Sequence, residues 1–557
     1  MANGSRNVAD MSPDAGWAAL ADARWADARK AFTAALEANE APEVLEGLSW
    51  AAWWLDDADS VFESRERAFS LYRKLGDIAS AGRMATWLAA DYLDFRGAFA
   101  VASGWLRRAR RLLEPLDEGP DHGWLAFHEG YVASMQGDTP RSLELAVRAA
   151  EIGRRAGVAD LHMLGLALQG AGLVACAKVE EGMGCLDEAA ATALTSEAMI
   201  PISRAWTCCF LVSACEAVRD YERAFEWCDK IAEFSQRYGS RYMLGFCRAH
   251  YGAVRMWRGQ WHEAEANLQA AVEDYSRSRP AFVASALLEL AELRRRQGNW
   301  EECERLLDEA GGGLLCRARL AFDRGEFQIA GDFAARALRQ TPEQRRLERA
   351  AALELLVRTH VARDELPNAQ AALAELEKLG HIVSTAALRA AVEVAAGIVA
   401  TAEGDHERAR QLLEDAADHF ADIGAPFEAA QAKMELATSL LALGRRPAAE
   451  REVEACLTSL GKLGAMAELR RAQRLLEPSV GEASEGPPLA EVTRREREVL
   501  RFVAEGLTNR QIAARLGVSD HTVHRHVTNI LRKLRLTSRT AAAAHAVRLG
   551  LAARSQK

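Results

Sequence analysis

Apolar positions along most of the chain recur three and four residues apart, the spacing of one helix face, and almost no alternating Val, Ile or Thr run of the kind a strand needs is present. Within that pattern a short signature returns: a small or polar turn, a bulky residue, then Ala or a small substitute three places later. It reads Trp25-x-x-Ala28, Phe99-x-x-Ala102, Tyr221-x-x-Ala224, Trp261-x-x-Ala264, Trp300-x-x-Cys303 and Phe327-x-x-Ala330. It continues as Leu366-x-x-Ala369, His406-x-x-Ala409 and Arg446-x-x-Ala449, with weaker copies near Ser60, Thr139 and Val179. From Tyr221 onward the anchors stand 39 or 40 residues apart with one exception, which is a solenoid period.

Each period reads as two helices. An amphipathic run from Arg241 to Trp257 stops at Arg258-Gly259-Gln260, and a second run starts at Trp261. Gly259 suits the left-handed residue that ends a helix, and Gly298, Gly325, Gly404 and Gly444 take the same place. The bulky anchor is expected to pack back on the preceding helix, and the small residue to let the two helices approach. One such pair cannot bury its own apolar face, so neighbours must stack. The exception is the 27-residue step from Trp300 to Phe327, where Gly311-Gly312-Gly313 is either an ordinary loop or a hinge. The array resembles tetratricopeptide repeats, in the elongated form of MalT-like regulators, over residues 15–475. That resemblance implies an all-α fold: an α-superhelix of about 11–12 helix pairs whose concave face binds a peptide, a protein or a small effector. Fold alone does not decide which.

The pattern breaks at Glu477-Pro478-Ser479-Val480-Gly481, followed by Glu482-Ala483-Ser484-Glu485-Gly486-Pro487-Pro488, the composition of a tether. The expected division is a disordered N-terminus at 1–14, a repeat domain at 15–476, a linker at 477–490 and a C-terminal domain at 491–557. Charge separates the two ends. Residues 491–557 hold 12 Arg and 2 Lys against 4 Glu and 1 Asp, a net of +9, which leaves 56 basic and 74 acidic residues before them, a net of −18. A basic tail on an acidic body points to nucleic acid as the partner of the tail alone.

In that tail, capping chemistry places the helices. Thr493-Arg494-Arg495-Glu496 and Thr508-Asn509-Arg510-Gln511 are capping boxes, and Ser519 and Ser538 each precede a further helix. Four helices are predicted, over 493–505, 508–516, 519–535 and 538–549, and the second and third, joined through Gly517-Val518-Ser519, have helix-turn-helix spacing. On the third, Val523, Val527, Ile530, Leu531 and Leu534 share one side, and the opposite side is polar or basic. Base contacts are expected from His521, His524, Arg525 and Thr528, with Arg525 the candidate for a bidentate bond to guanine. Phosphate contacts are expected from Thr508, Asn509, Arg510, Thr522, His526, Asn529, Arg532 and Lys533.

The linear pattern is similar to the LuxR/FixJ-type DNA-binding domain across nearly all of 489–552: Val492 to Leu500, Glu505 to Ala513, Thr522-Val523-x-x-His526, and Ser538-Arg539-Thr540 through Gly550-Leu551. The resemblance implies DNA recognition by the third helix and homodimerisation by the fourth, where Ala542, Ala543, Ala546 and Val547 would meet a second copy. One position departs from it: the family has Lys after Thr-Val, and this chain has His524.

What is missing narrows the reading. No Gly-x-x-x-x-Gly-Lys-Ser/Thr loop, no strand–helix alternation of a receiver domain and no His-Glu-x-x-His occur, so neither enzymatic activity nor a cofactor is expected. No 18-residue uncharged apolar stretch and no signal-like N-terminus occur, so the expectation is a cytoplasmic protein without membrane contact. Seven of the ten cysteines fall between Cys176 and Cys247 without metal-ligand spacing, and read as buried thiols. Trp50, Trp53 and Trp54 crowd together so closely that an exposed aromatic patch, able to line an effector pocket, is one expectation and repeat core the other. The reading is a transcriptional regulator that binds double-stranded DNA, paired with itself in the family's manner, and senses a small molecule or protein through its repeats; the alternative is a repeat scaffold whose C-terminal domain serves as tether or dimeriser.

Overall fold

The computed structural model describes residues 13–195, 201–383, 385–476, 493–504 and 507–533, together with Ala542 and Ala546. The N-terminal residues 1–12 and the tether between the helices ending at Leu476 and beginning at Arg494 lie outside the described residues. The chain divides after Ala472 into two compact units. Every regular element among the described residues is helical, and no helix among them is long and apolar enough to cross a membrane.

The first unit is a tetratricopeptide-like superhelix of twelve consecutive helix pairs, from Pro13–Ala21 with Trp25–Ala38 to Pro426–Ala442 with Arg446–Leu463, closed by Met466–Leu476. The recurring signature marks the second helix of a pair. Trp25, Phe99, Tyr221, Trp261, Trp300, Phe327, Leu366, His406 and Arg446 are each the first residue of a helix. The small residue three places on, from Ala28 to Ala449, is in all nine cases 0% exposed. The weaker copies at Thr139 and Val179 also open helices, whereas the one near Ser60 belongs to a helix that starts at Ala58.

Turns between helices are equally local in origin. In Gly404-Asp405, the glycine takes φ +83°, which ends one helix, and the Asp405 carboxylate accepts the N–H of Arg408, which starts the next. Gly76-Asp77 and Gly137-Asp138 repeat the device. The triple glycine at 311–313 is a held turn: Arg317 donates to the Gly312 carbonyl at 3.2 Å and to Asp308 at 2.9 Å.

Packing within and between pairs is close. A Cβ on Gly165 would lie 2.4 Å from the backbone nitrogen of Ala150, so those two helices touch backbone to backbone. The inner face of the superhelix is then covered largely by the chain itself. Trp25 donates its indole N–H to the Tyr238 carbonyl at 2.8 Å, and its ring stacks on Trp54 at 4.4 Å. Arg279, fully buried, pairs with Asp56 at 2.9 Å and lies over the rings of Phe95, Trp53 and Tyr242. Further along, Arg296 bridges Glu292 and Glu428, each at 3.0 Å. The open concave face implied by the resemblance is therefore occupied at these turns.

Trp53 and Trp54 are 3% and 6% exposed, which decides between the two expectations in favour of repeat core. Helix Pro42–Trp54 is flanked on one side by its sequence neighbours and on the other by Tyr238, Tyr242 and Arg279, so adjacent residues both find an interior. The ten cysteines are free thiols, and burial pushes Cys208 and Cys215 up to about 12 and Cys209 well above its ordinary value, far from a reactive thiolate.

Crowding at the signature makes a direct prediction. Ala264→Leu, at the crossing with Gly252, should lower stability by about 1–3 kcal/mol, read as a lower urea midpoint, while Ala266→Leu on the exposed face of the same helix should stay within about 0.5 kcal/mol.

Candidate nucleic-acid interface

Three helices of the second unit are described: Arg494–Ala504, Asn509–Leu516 and Asp520–Lys533. The first begins with a reciprocal cap, in which Thr493 N–H donates to Glu496 at 2.9 Å and Glu496 N–H donates to the Thr493 hydroxyl at 3.3 Å. The second repeats it between Thr508 and Gln511, at 2.8 and 3.4 Å. Gly517, at φ +66°, turns the chain sharply; Val518 N–H returns to the Ala513 carbonyl, and Ser519 accepts the Thr522 N–H at 3.1 Å to start the third helix. These short turns set the crossing of the second and third helices.

Val499, Leu500, Val503, Ile512, Val523 and Ile530 form the core they share. Burying Val523, Val527 and Ile530 points the rest of the third helix outward. His521, His524, Arg525 and Thr528 are exposed on that face, while Thr522, His526 and Asn529 are half-buried beside it. Thr508 and Arg510 are exposed at the start of the second helix, with Asn509 half-buried between them. Several hydroxyls are already engaged: Thr528 donates to the His524 carbonyl at 3.1 Å, and Thr522 shares a 2.8 Å bond with Ser519. Arg525 makes no hydrogen bond or ion pair among the described residues, so its planar fork of donors faces solvent. The side chain of Arg532 and the expected fourth helix, Ala542 and Ala546 apart, lie outside the described residues.

Residues 490–546 match the family described as bacterial regulatory proteins, luxR family. The second unit carries a LuxR-family helix-turn-helix. Similar curated proteins include a nitrate/nitrite response regulator protein homolog of Haemophilus influenzae, 53% identical over 58 residues, which are 10% of this chain and 28% of that one. The nitrate/nitrite response regulator NarP of Escherichia coli is 48% identical over 59 residues, 11% of this chain and 27% of NarP. The alignment thus spans little more than a quarter of either relative's length. Among solved structures, a Rap protein complexed with competence and sporulation factor aligns with 73% of this chain and 99% of its own at 12% identity and a TM-score of 0.40, a likeness too loose to carry an argument.

Three residues of the expected interface, Lys533, Ala542 and Ala546, lie against the interior of the LuxR-type domain. Lys533 points back into the domain, with its ammonium 2.7 Å from the buried Glu496 carboxylate, in an ion pair that ties the third helix to the first. Ala542 and Ala546 are buried with the domain's own core; Ala543 and Val547 lie outside the described residues. The sequence holds no local signal for the Lys533 pairing, because its partner is 37 residues away. Arg495 was missed for the same reason: it donates to the Leu516 carbonyl at 2.7 Å and ties the first helix to the end of the second.

Burial alone would raise the Glu496 carboxyl, but bonds from Lys533 and from Thr493 hold it below the usual carboxylate range. This stabilisation is therefore whole above about pH 4.3, where an unfolded glutamate titrates, and fades as pH falls through the lower folded value. Lys533→Met should cost the domain about 1–3 kcal/mol in amide-exchange stability and leave the salt slope of DNA binding unchanged. A slope shallower by about 0.9 would instead mark Lys533 as a phosphate contact.

Proposed function

We propose that this chain is a DNA-binding transcriptional regulator in which the LuxR-type domain reads a promoter and the helical-repeat unit receives the signal. The observation that carries the reading is the two-sidedness of the third helix: apolar residues consumed by the core, and a polar face with the unpaired Arg525 left outward. In this reading the helix enters the major groove, Arg525 bonds a guanine edge, and His521, His524 and Thr528 reach neighbouring bases. Thr508, Asn509, Arg510, Thr522, His526, Asn529 and Arg532 hold the phosphates on either side and set the register. The net +9 of residues 491–557 supplies the attraction that brings the domain to DNA.

The domain acts as a homodimer on an inverted repeat. Its dimer contact is drawn from Ala542, Ala543, Ala546 and Val547, of which Ala542 and Ala546 are buried within the domain. The repeat unit contributes by binding an effector or a partner protein, not by catalysis, and the protein works in the cytoplasm where the bacterial chromosome lies.

The decisive experiment is selection of the full-length protein on random duplexes across a salt series. Enrichment of an inverted repeat is expected; tight but sequence-blind binding would move the reading to a scaffold with a basic tether. On the selected site, Arg525→Ala should cost about 1–3 kcal/mol and relax the preference at one base pair per half-site. Arg510→Ala should weaken all sequences alike and make the salt slope shallower by about 1.

A further inference from the structure

A cavity of about 320 Å³ lies inside the repeat unit, within the range that takes small ligands. Its walls come from helices far apart in sequence. Phe127 and Tyr131 project from Pro120–Met135, Trp206 and Phe210 from Pro201–Val218, and Tyr242 and Phe246 from Arg241–Trp257. The rings support one another: Phe127 stacks on Trp206 at 5.9 Å and meets Phe210 edge-on at 6.5 Å, and Phe282 closes against Tyr242 at 5.5 Å. Helix Ala159–Ala175 and the last turn of Pro201–Val218 line the same space with Ala171, Gly172, Ala175 and Ala217, so the hole is ring volume that small residues leave empty.

Into this aromatic chamber reaches one carboxylate, Asp94, which is 4% exposed. It makes no hydrogen bond and no ion pair among the described residues. The arginines nearby are committed elsewhere, Arg65 to Asp91 at 3.1 Å and Arg279 to Asp56 at 2.9 Å. At the other end of the cavity, Arg345 is paired with Glu348 at 3.0 Å and with the Ser134 carbonyl. Asp94 is thus the one wall charge without a partner, and an unpaired buried charge is costly.

We propose that this cavity is a binding site for a small organic cation, an amine on an aromatic or apolar body, with the ammonium held by Asp94 and the body packed among the rings. Both features of the wall select for positive charge: a carboxylate lacking its counter-ion, and ring faces whose quadrupoles attract cations and repel anions. Burial pushes the Asp94 carboxyl up to about 7, against the pull of Arg279 and Arg65 and with the push of Asp91, so an ammonium beside it would also stabilise its ionised form. The walls join residues more than two hundred positions apart, Ser134 and Arg345 among them, so an occupant bridges separate turns of the superhelix. That this occupant is the effector rests on the regulator reading above; that it binds does not.

The test is calorimetric titration of the full chain at pH 8 with 2-phenylethylamine and tryptamine, beside the neutral 2-phenylethanol and the anionic 3-phenylpropanoate. The amines are expected to bind at least about ten-fold more tightly than the alcohol, and the carboxylate not at all. Asp94→Asn should remove that ten-fold preference and leave the alcohol as it was. Ala171→Phe, which alters no charge, should fill the space and abolish amine binding with the helical signal and Tm retained; it decides the matter if Asp94→Asn does not fold. Equal affinity for amine and alcohol, undiminished amine binding by either variant, or no saturable amine binding overturns the proposal. DNA is absent from these titrations, so their failure and a failure of promoter selection are read separately.

Discussion

A helix pair in this array has two faces to cover, and its own partner covers only one. Everything in the first unit follows from that deficit. Close stacking demands a small residue where the helices cross, so alanine or cysteine returns at each anchor and is completely buried there. Close stacking also curls the array, and curling brings the inner faces of distant pairs together. Tyr238 then meets Trp25 and Trp54, and Arg279 meets Asp56, positions far earlier in the chain. The inner face becomes a second core, with consequences that an isolated pair would not have.

That second core is unusually polar, and its polarity is ordered. Arg65 with Asp91, Arg279 with Asp56, and the Glu292, Arg295, Arg296 and Glu428 group place charges where water is excluded. Such pairs add little net stability compared with apolar residues of the same size, but breaking one leaves a stranded charge, which disfavours alternative stackings of near-identical repeats. Asp94 breaks the pattern of pairing, and it does so at the wall of a cavity lined by aromatic rings, which is why the cavity reads as a place for something other than the chain itself.

The second unit solves the same problem by different means. A domain of this size has few residues to bury, so capping boxes and one tight glycine turn specify its helices before packing does. Glu496 serves twice, closing the first cap and accepting Lys533 from the end of the third helix. The outcome is a third helix held at both ends, with its outer face unoccupied by protein partners at Arg525.

Local physics was legible in the chain. Helix starts at Trp261 or Thr508, the left-handed glycines, the small residue three places past each anchor and the inward valines of the third helix all depend on neighbours within a turn or two, so periodicity and capping express them directly. The matching of Thr493, Thr508 and the Thr522 region to a known domain type was legible for the same reason, since that signature is linear. What the chain alone did not disclose depends on residues brought together by curvature. Trp53 and Trp54 could both be buried only because the superhelix supplies a second interior; Lys533 meets Glu496 because helices 37 residues apart close on one another, and Ala542 and Ala546 join the core those helices share. Asp94 looks like any other acidic residue in sequence. Its lack of a partner among the described residues is a property of the fold, because only the path of the superhelix decides which arginines come within reach of it.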